Sequence, residues 1–76
     1  MPPSVIYEVW ARRPAKKTDK KAPPLRHRMY YPERGWQFAV KKAHRLTERG
    51  FTDVVVREVT VTHEHRVERP RKKVKR

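Results

Sequence analysis

The chain lacks cysteine and has only two glycines and one serine among its 76 residues. Without cysteine, the fold can hold neither a disulfide framework nor a thiolate metal site. The two glycines, Gly35 and Gly50, stand too far apart for a glycine-rich loop that cradles phosphate. Ser4 is the single serine, and no pair of carboxylates indicates a catalytic cleft. We therefore expect no enzymatic activity and no cofactor.

Long apolar runs are also missing. Hydrophobic residues make up 36% of the chain and charged residues 38%, so the core must be thin. No stretch approaches the roughly 20 apolar residues that span a bilayer, and the first residues lack the basic start and apolar run of a signal peptide. We expect a soluble, cytoplasmic protein, free or associated with the nucleoid or the ribosome, without a membrane partner.

Positive charge is what the chain has in excess. Lys and Arg number 21 against 8 Asp and Glu, which gives a formal net charge of +13. The excess is concentrated in residues 12–28 and 66–76, with a smaller share in 33–49. Like charges at this density repel one another and oppose a compact fold, whereas a polyanion neutralises them and releases counterions. The composition therefore predicts nucleic acid as the partner, with RNA and DNA equally compatible.

The remaining pattern predicts three strands and one helix. Residues 4–12 and 25–31 have the β-branched, aromatic or alternating character of strands. Residues 32–50 predict a helix that ends at Gly50, because apolar residues recur at helical spacing. Its expected core stripe is Trp36, Ala39, Val40, Ala43, Leu46 and Thr47. Residues 51–67 predict a long last strand whose irregular phase indicates either that both faces are partly covered or that a bulge lies near Arg57 and Glu58.

The order of these elements is ββαβ, which predicts a small α+β domain. We expect a mostly antiparallel three-stranded sheet with the helix packed on one face. The domain would cover residues 1–67, with a solvated basic loop at 14–24, and residues 68–76 would form a disordered basic tail. The last strand is long for such a sheet, so its second half could also pair with another copy and form a homodimer.

Three basic segments make up the predicted nucleic-acid site: the loop with its flanking residues, the outer helix face and the tail. On the helix, Phe38 sits among cations, where its ring could stack on a base or cover a sheet edge or a second subunit. The predicted binding residues are Arg12, Arg13, Lys16, Lys17, Lys20, Lys21, Arg26, Arg28, Arg34, Phe38, Lys41, Lys42, Arg45, Arg49, Arg69, Arg71, Lys72 and Lys73.

A metal site is a weaker hypothesis. His63 and His65 would share one face of a strand, about 7 Å apart, but a zinc site needs further ligands. Only His27 and His44 remain as histidines. We therefore expect no bound metal and a solvated role for these side chains.

The stretch at 36–61, an amphipathic helix that ends in ERGFTDVVVREV, resembles the helix–glycine–strand unit of small basic proteins from high-GC actinobacteria and their phages. It is also similar to half of a sporulation-related repeat. The resemblance implies an α-to-β connection in about a third of the chain. It does not carry over the glycan-binding function of that repeat, because its second half and an export signal are missing.

Two functions from different classes follow. The first is a small nucleic-acid-binding protein that acts mainly through phosphate contacts, with modest sequence specificity. The second is a modulator of the phage or mobile-element type that docks on an acidic host protein through Phe38 and the last strand, which would add to an exposed sheet edge. Attachment to an anionic membrane surface has less support, because the helix has no bulky apolar insertion face.

Overall fold

The computed structural model describes residues 4–62 and 66–74. The elements within them form a four-stranded antiparallel sheet in the order β2-β1-β3-β4, with one helix against one face. They are β1 (Ser4–Arg12), β2 (Leu25–Pro32), a 3-10 turn (Glu33–Gly35), α1 (Trp36–Glu48), β3 (Thr52–Val61) and β4 (Arg66–Val74).

The predicted three-stranded sheet with a disordered basic tail is wrong, although the fold remains of the α+β type. The long last strand ends at Val61, and the basic segment after it returns as β4 along β3. Cross-strand pairing explains why this segment is ordered: Val74 lies opposite Val54 and is buried with it. Edge strands tolerate charged residues and proline, so Pro70 and its cationic neighbours are compatible with this position.

The fourth strand also removes the edge through which we expected a homodimer. In the structure β3 pairs with β1 on one side and with β4 on the other, so its backbone groups are already used. The outermost strands are β2 and β4, and both carry cations along their exposed positions.

The core lies between the helix and one face of the sheet. Val9 and Ala11 of β1 and Val54 and Val56 of β3 point toward α1, together with Val74. On the helix, the predicted stripe is confirmed: Ala39, Ala43, Leu46 and Thr47 are buried, and Trp36 and Val40 are partly buried. Small residues in the middle of this stripe let the short helix lie close to the sheet.

The helix ends are set by glycine and by close packing. Gly50 adopts a left-handed φ of 91°, its N–H donates to Thr47 O, and the Phe51 N–H donates to Leu46 O at 3.0 Å. This is the predicted C-terminal glycine in a Schellman motif. The α-helix begins at Trp36, later than we expected, because the residues before it form the 3-10 turn. A Cβ at Gly35 would lie only 2.6 Å from the Cβ of Tyr31, so this turn packs directly on β2.

Register shifts occur in all three strand pairings. The shift between β3 and β4 falls between Val56 and Arg57, but its extra residue is Arg71 of β4, so the predicted bulge in β3 at Arg57–Glu58 is wrong. The irregular phase of β3 instead reflects cover on both faces: Val54 and Val56 are buried beneath the helix, and Val55 and Val59 are buried on the opposite face. Another falls opposite Val9 and Trp10, where β2 has one extra residue. A third adjoins Asp53, which has a positive φ of 50°.

No helix within residues 4–62 and 66–74 is long and apolar enough to cross a membrane.

Candidate nucleic-acid interface

One flank of α1 carries an exposed aromatic ring and a row of cations. At 100° per residue, Lys42, Arg45 and Arg49 fall within about 40° of Phe38 around the helix axis. The ring of Phe38 stacks on Tyr31 of β2, with 6.4 Å between centroids and 22° between planes. This flank therefore borders β2, and Phe38 remains 59% exposed.

The bulge in β2 adds arginines to the same side of the sheet. Arg26 lies opposite Ala11, whose side chain is in the core beneath the helix. Arg28 is the extra residue of the bulge, and its guanidinium lies 5.2 Å from the ring centroid of Phe51, which packs against that core. Met29, the next residue, is 47% exposed. Bulges re-aim side chains in this way, and here the bulge directs Arg28 toward the end of the helix.

We call this combined region the helix–β2 surface. It consists of Arg26, Arg28, Met29, Tyr31, Phe38, Lys41, Lys42, Arg45 and Arg49. Lys41 belongs to it because its Nζ lies 6.0 Å from the Phe38 ring centroid.

The helix–β2 surface contains six cations and no carboxylate. None of these cations forms an ion pair with any carboxylate in the part of the chain that the structure describes. β2 has no acidic residue, and α1 has one, Glu48. By helical position Glu48 lies about 80° from Phe38, on the same side as Lys41, which lies about 60° from Phe38. None of the six cations is ion-paired with Glu48, so this surface carries a net positive charge.

Other predicted binding residues are neutralised by carboxylates. Arg12 pairs with Asp53 at 2.8 Å and also donates to the carbonyl of Pro23. Arg13 donates to both carboxylate oxygens of Asp19 at 2.9 Å, and Arg71 lies 3.4 Å from Glu58. The hydrogen bond from Arg13, then that from the Lys16 backbone N–H, lowers the pKa of Asp19 to about 2. These three arginines have structural partners inside the protein.

The basic loop has an internal turn at Asp19, and its two ends are joined by the hydrogen bond from Arg12 to the carbonyl of Pro23. Asp19 accepts the Lys16 N–H at 2.6 Å, and its own N–H donates to Lys16 O. The loop's four lysines, Lys16, Lys17, Lys20 and Lys21, are exposed. A cleft of about 290 Å³, lined by Arg13, Pro24, Arg26 and Arg28, joins the base of the loop to the helix–β2 surface.

The cations of β4 lie at the opposite edge of the sheet. Arg69, Lys72 and Lys73 are exposed, but three strand spacings, about 14 Å, separate β4 from β2. Arg34, in the 3-10 turn, is exposed as well. The structure therefore groups the helix and β2 residues together and places the β4 residues in a separate basic region.

The face of the sheet without the helix carries an ion-pair network that sequence reasoning missed. Glu8 is only 5% exposed; it accepts a hydrogen bond from Trp10 Nε1 at 3.1 Å and one from Arg66 Nη2 at 2.6 Å. Arg66 also reaches Glu68, which lies 3.8 Å from Arg57. Glu8 lies in β1 and Arg66 in β4, with β3 between them, so these residues come together only when the sheet is assembled.

The ionised form of Glu8 is favoured by this network. Burial alone would raise the pKa of Glu8, but the hydrogen bonds from Arg66 and Trp10 and the nearby charges of Arg66 and His27 outweigh it. The net result is a pKa below the ordinary value. The same bonds raise the pKa of Arg66.

The aromatic residues on this second face are already in contact with other side chains. The guanidinium of Arg57 lies 4.8 Å from the ring centroid of Trp10, and the His27 ring lies 5.4 Å away. Trp10 is therefore a packing residue and not an open platform for bases. Tyr30, which pairs across the strands with Glu8, is 60% exposed.

A larger cleft of about 700 Å³ opens near the start of β3. Its apolar lining includes Leu25, Val55 and Pro70, and its charged lining includes the pairs Arg12–Asp53 and Arg57–Glu68. These pairs are mutually neutralised, and Lys73 is the one cation of the described lining without an ion pair, so this cleft carries less positive charge than the helix–β2 surface.

The metal hypothesis rests on His63 and His65, which lie outside the described residues. Across residues 4–62 and 66–74, no group of three or more histidine and carboxylate side chains is placed to hold a metal ion.

Comparisons with protein-family models, curated proteins and solved structures found no match to this chain.

Proposed function

We propose that the protein binds nucleic acid through the helix–β2 surface, mainly by contacts with phosphates. The observation that carries the proposal is the set of six cations on this surface without a carboxylate partner among the described residues. Other cations also form no ion pair with the described residues, but they do not surround an exposed phenylalanine ring as the cations of the helix–β2 surface do; they are Lys16, Lys17, Lys20, Lys21, Arg34, Arg69, Lys72 and Lys73. Charge left uncompensated in one region opposes folding by self-repulsion, and a polyanion removes that penalty.

The loop lysines extend this surface. The cleft lined by Arg13, Arg26 and Arg28 connects it to the base of the loop. A phosphate backbone that follows the helix flank would reach the loop past these arginines. The β4 cations lie at the other edge of the sheet. They contribute to the electrostatic field that attracts a polyanion more than to direct contacts with its phosphates.

The proposal is tested by two variants with the same change in charge. One is the triple variant Lys42→Gln, Arg45→Gln and Arg49→Gln on the helix flank, whose residues are exposed or half-buried. The matched control is Arg69→Gln, Lys72→Gln and Lys73→Gln on β4. Binding of labelled single-stranded and duplex oligonucleotides is measured at several salt concentrations.

The helix variant should lose affinity and flatten the log–log salt slope by about 2 for a single strand or about 3 for a duplex, since three phosphate contacts are lost. The β4 variant should keep most of the slope. Equal losses in the two variants would mean that net charge alone drives binding, and the helix–β2 surface would not be the site.

An acidic protein is the second candidate partner, favoured by the exposure of Phe38 and Met29 on the same surface. A specific complex of this kind should be lost on Phe38→Ala and survive the β4 substitutions. Weak binding to every oligonucleotide, abolished near physiological salt, would favour this partner over nucleic acid.

A further inference from the structure

We infer that the ligand of the helix–β2 surface is single-stranded nucleic acid and that one of its unpaired bases stacks on Phe38. This inference rests on the proposed function and specifies the class of ligand. It follows from how the Phe38 ring is held, from what surrounds it, and from what a phenyl ring can contact in a nucleic acid.

The ring of Phe38 is held from behind. Its partner Tyr31 stacks on it with nearly parallel planes, and Tyr31 is fixed in β2 opposite Tyr7. The 3-10 turn adds a further constraint, because Gly35 packs so tightly on Tyr31 that a Cβ would not fit. Tyr7 in turn meets the ring of Trp36 edge-on at 5.1 Å. The ring therefore belongs to an ordered aromatic group, although more than half of Phe38 faces solvent.

Exposure alone would not indicate a ligand, since single exposed apolar residues are common on protein surfaces. The surroundings of Phe38 are what distinguish it. Cations follow along the flank at Lys42, Arg45 and Arg49, about one per helical turn of 5.4 Å. Such a row can hold the phosphates of a strand while its bases turn toward the ring, an arrangement typical of single-strand binding.

A duplex would not use this ring in the same way. In a duplex the base faces are stacked on one another, and only the base edges and the thymine methyl are accessible in the grooves. Phenylalanine has no hydrogen-bonding group for a base edge, and wedging it between base pairs requires the duplex to unstack and kink. The helix flank is also bordered by Met29 and Arg28 of β2, so α1 does not project as an isolated recognition helix.

The dimensions fit a short segment of single strand. From Phe38 to Arg49 the helix rises about 16 Å, at 1.5 Å per residue. A strand along this flank meets one stacking position and several cations, with further contacts at Arg26 and Arg28. We expect little sequence preference, because every base has a face that can stack.

The test compares Phe38→Ala with Tyr30→Ala in the full chain. The two residues are 59% and 60% exposed, but Tyr30 lies on the sheet face away from the helix and outside the proposed site. Two further variants refine the test: Phe38→Tyr keeps an aromatic face, whereas Phe38→Leu keeps apolar bulk without one. The probes are a single-stranded oligonucleotide of about 12 nucleotides and its duplex, with one adenine replaced by fluorescent 2-aminopurine.

Phe38→Ala and Phe38→Leu should weaken single-strand binding by about tenfold or more, the range expected for one stacked base. Phe38→Tyr and Tyr30→Ala should bind nearly as the unchanged protein, and duplex affinity should change little in any variant. Quenching of 2-aminopurine on binding, lost in Phe38→Leu, would report the stacking itself.

The outcomes separate this inference from the proposed function. If single-strand binding stays salt-dependent but Phe38→Ala and Phe38→Leu leave it unchanged, the stacking inference is wrong and the phosphate-binding proposal stands. Tighter binding of the duplex, with the same losses on substitution, overturns the single-strand assignment. If neither probe binds above the level set by net charge, both proposals fail together.

Discussion

Replacing Glu8 with glutamine tests whether the charged network on the helix-free face stabilises the fold. The change keeps the shape of the side chain and removes its charge. Because the attractions of Arg66 and Trp10 outweigh the cost of burial, the folded state favours the ionised carboxylate. A hydrogen bond to a charged group contributes about 1.5–3 kcal/mol and a neutral one about 1 kcal/mol. We therefore expect Glu8→Gln to lower the free energy of unfolding by about 1–2 kcal/mol at pH 7.

The loss should depend on pH in a definite direction. The folded-state pKa of Glu8 lies below its ordinary value of about 4.5. The stability from its charge is therefore fully present above that value and is lost as the pH falls through the lower folded pKa. The difference between the unchanged protein and Glu8→Gln should be present at pH 7 and shrink as the pH falls below about 4.5. Comparing the two proteins cancels the contribution of the other carboxylates.

Urea unfolding, followed by tryptophan fluorescence at several pH values, measures this difference. Trp10 donates a hydrogen bond to Glu8, so the emission includes a contribution from this site together with that of Trp36 in the helix. A suitable control is Glu48→Gln, since Glu48 is exposed and forms no ion pair with the described residues. Equal stability of Glu8→Gln and the unchanged protein at pH 7, or a difference that persists at pH 3, would show that the network contributes no net charge-dependent stability.

Three further substitutions have expected outcomes. Leu46→Ala leaves a cavity at a buried core position and should lower the free energy of unfolding by about 2–5 kcal/mol. The total expected for a chain of this length is roughly 4–11 kcal/mol, so thermal unfolding followed by circular dichroism should show the loss clearly. Gly50→Ala should lower the free energy of unfolding by about 1–2 kcal/mol, because the φ of 91° at this position is left-handed. An unchanged midpoint of urea unfolding would contradict the Schellman assignment. Asp19→Asn removes the charge that Arg13 and the Lys16 N–H bind; trypsin should cut the loop faster at neutral pH while the global midpoint stays the same.

The local elements could be predicted from the sequence because their signals are local. The first strand occurs at the predicted residues, and the helix stripe and its glycine stop depend on spacing along the chain. The fourth strand has no such signal: in RVERPRKKV the two valines stand far apart among charges. Its order comes from pairing with β3, where Val74 meets Val54 and Val67 meets Thr60, and no pattern within the segment reveals that partner.

The same distinction applies to the site. Helical spacing alone placed Phe38 together with the cations of the outer helix face, and the structure adds that this flank borders β2. Composition could not show which arginines have carboxylate partners. Arg13 and Asp19 are six residues apart and Arg12 and Asp53 are forty-one apart, yet both pairs form, since loop geometry and strand pairing decide proximity. Glu8 and Arg66 are 58 positions apart in the sequence, and strand pairing brings them together as well.

The central position of β1 has a consequence for how the chain folds. Ile6 pairs with Pro32 on one side and with Val59 on the other, so within this sheet the strand that comes first in the chain needs a partner about fifty positions later. Before that partner exists, β1 and β2 form at most an isolated hairpin, which is marginally stable in water. Non-local pairing of this kind slows folding, because closing the segment between the two strands loses conformational entropy before any contact between them compensates for that loss. The helix of the helix–β2 surface packs on β3 as well as on β1, so this surface reaches its final arrangement only after β3, although all six of its cations precede β3 in the chain. During synthesis the chain therefore carries these charges before it has the surface proposed to use them.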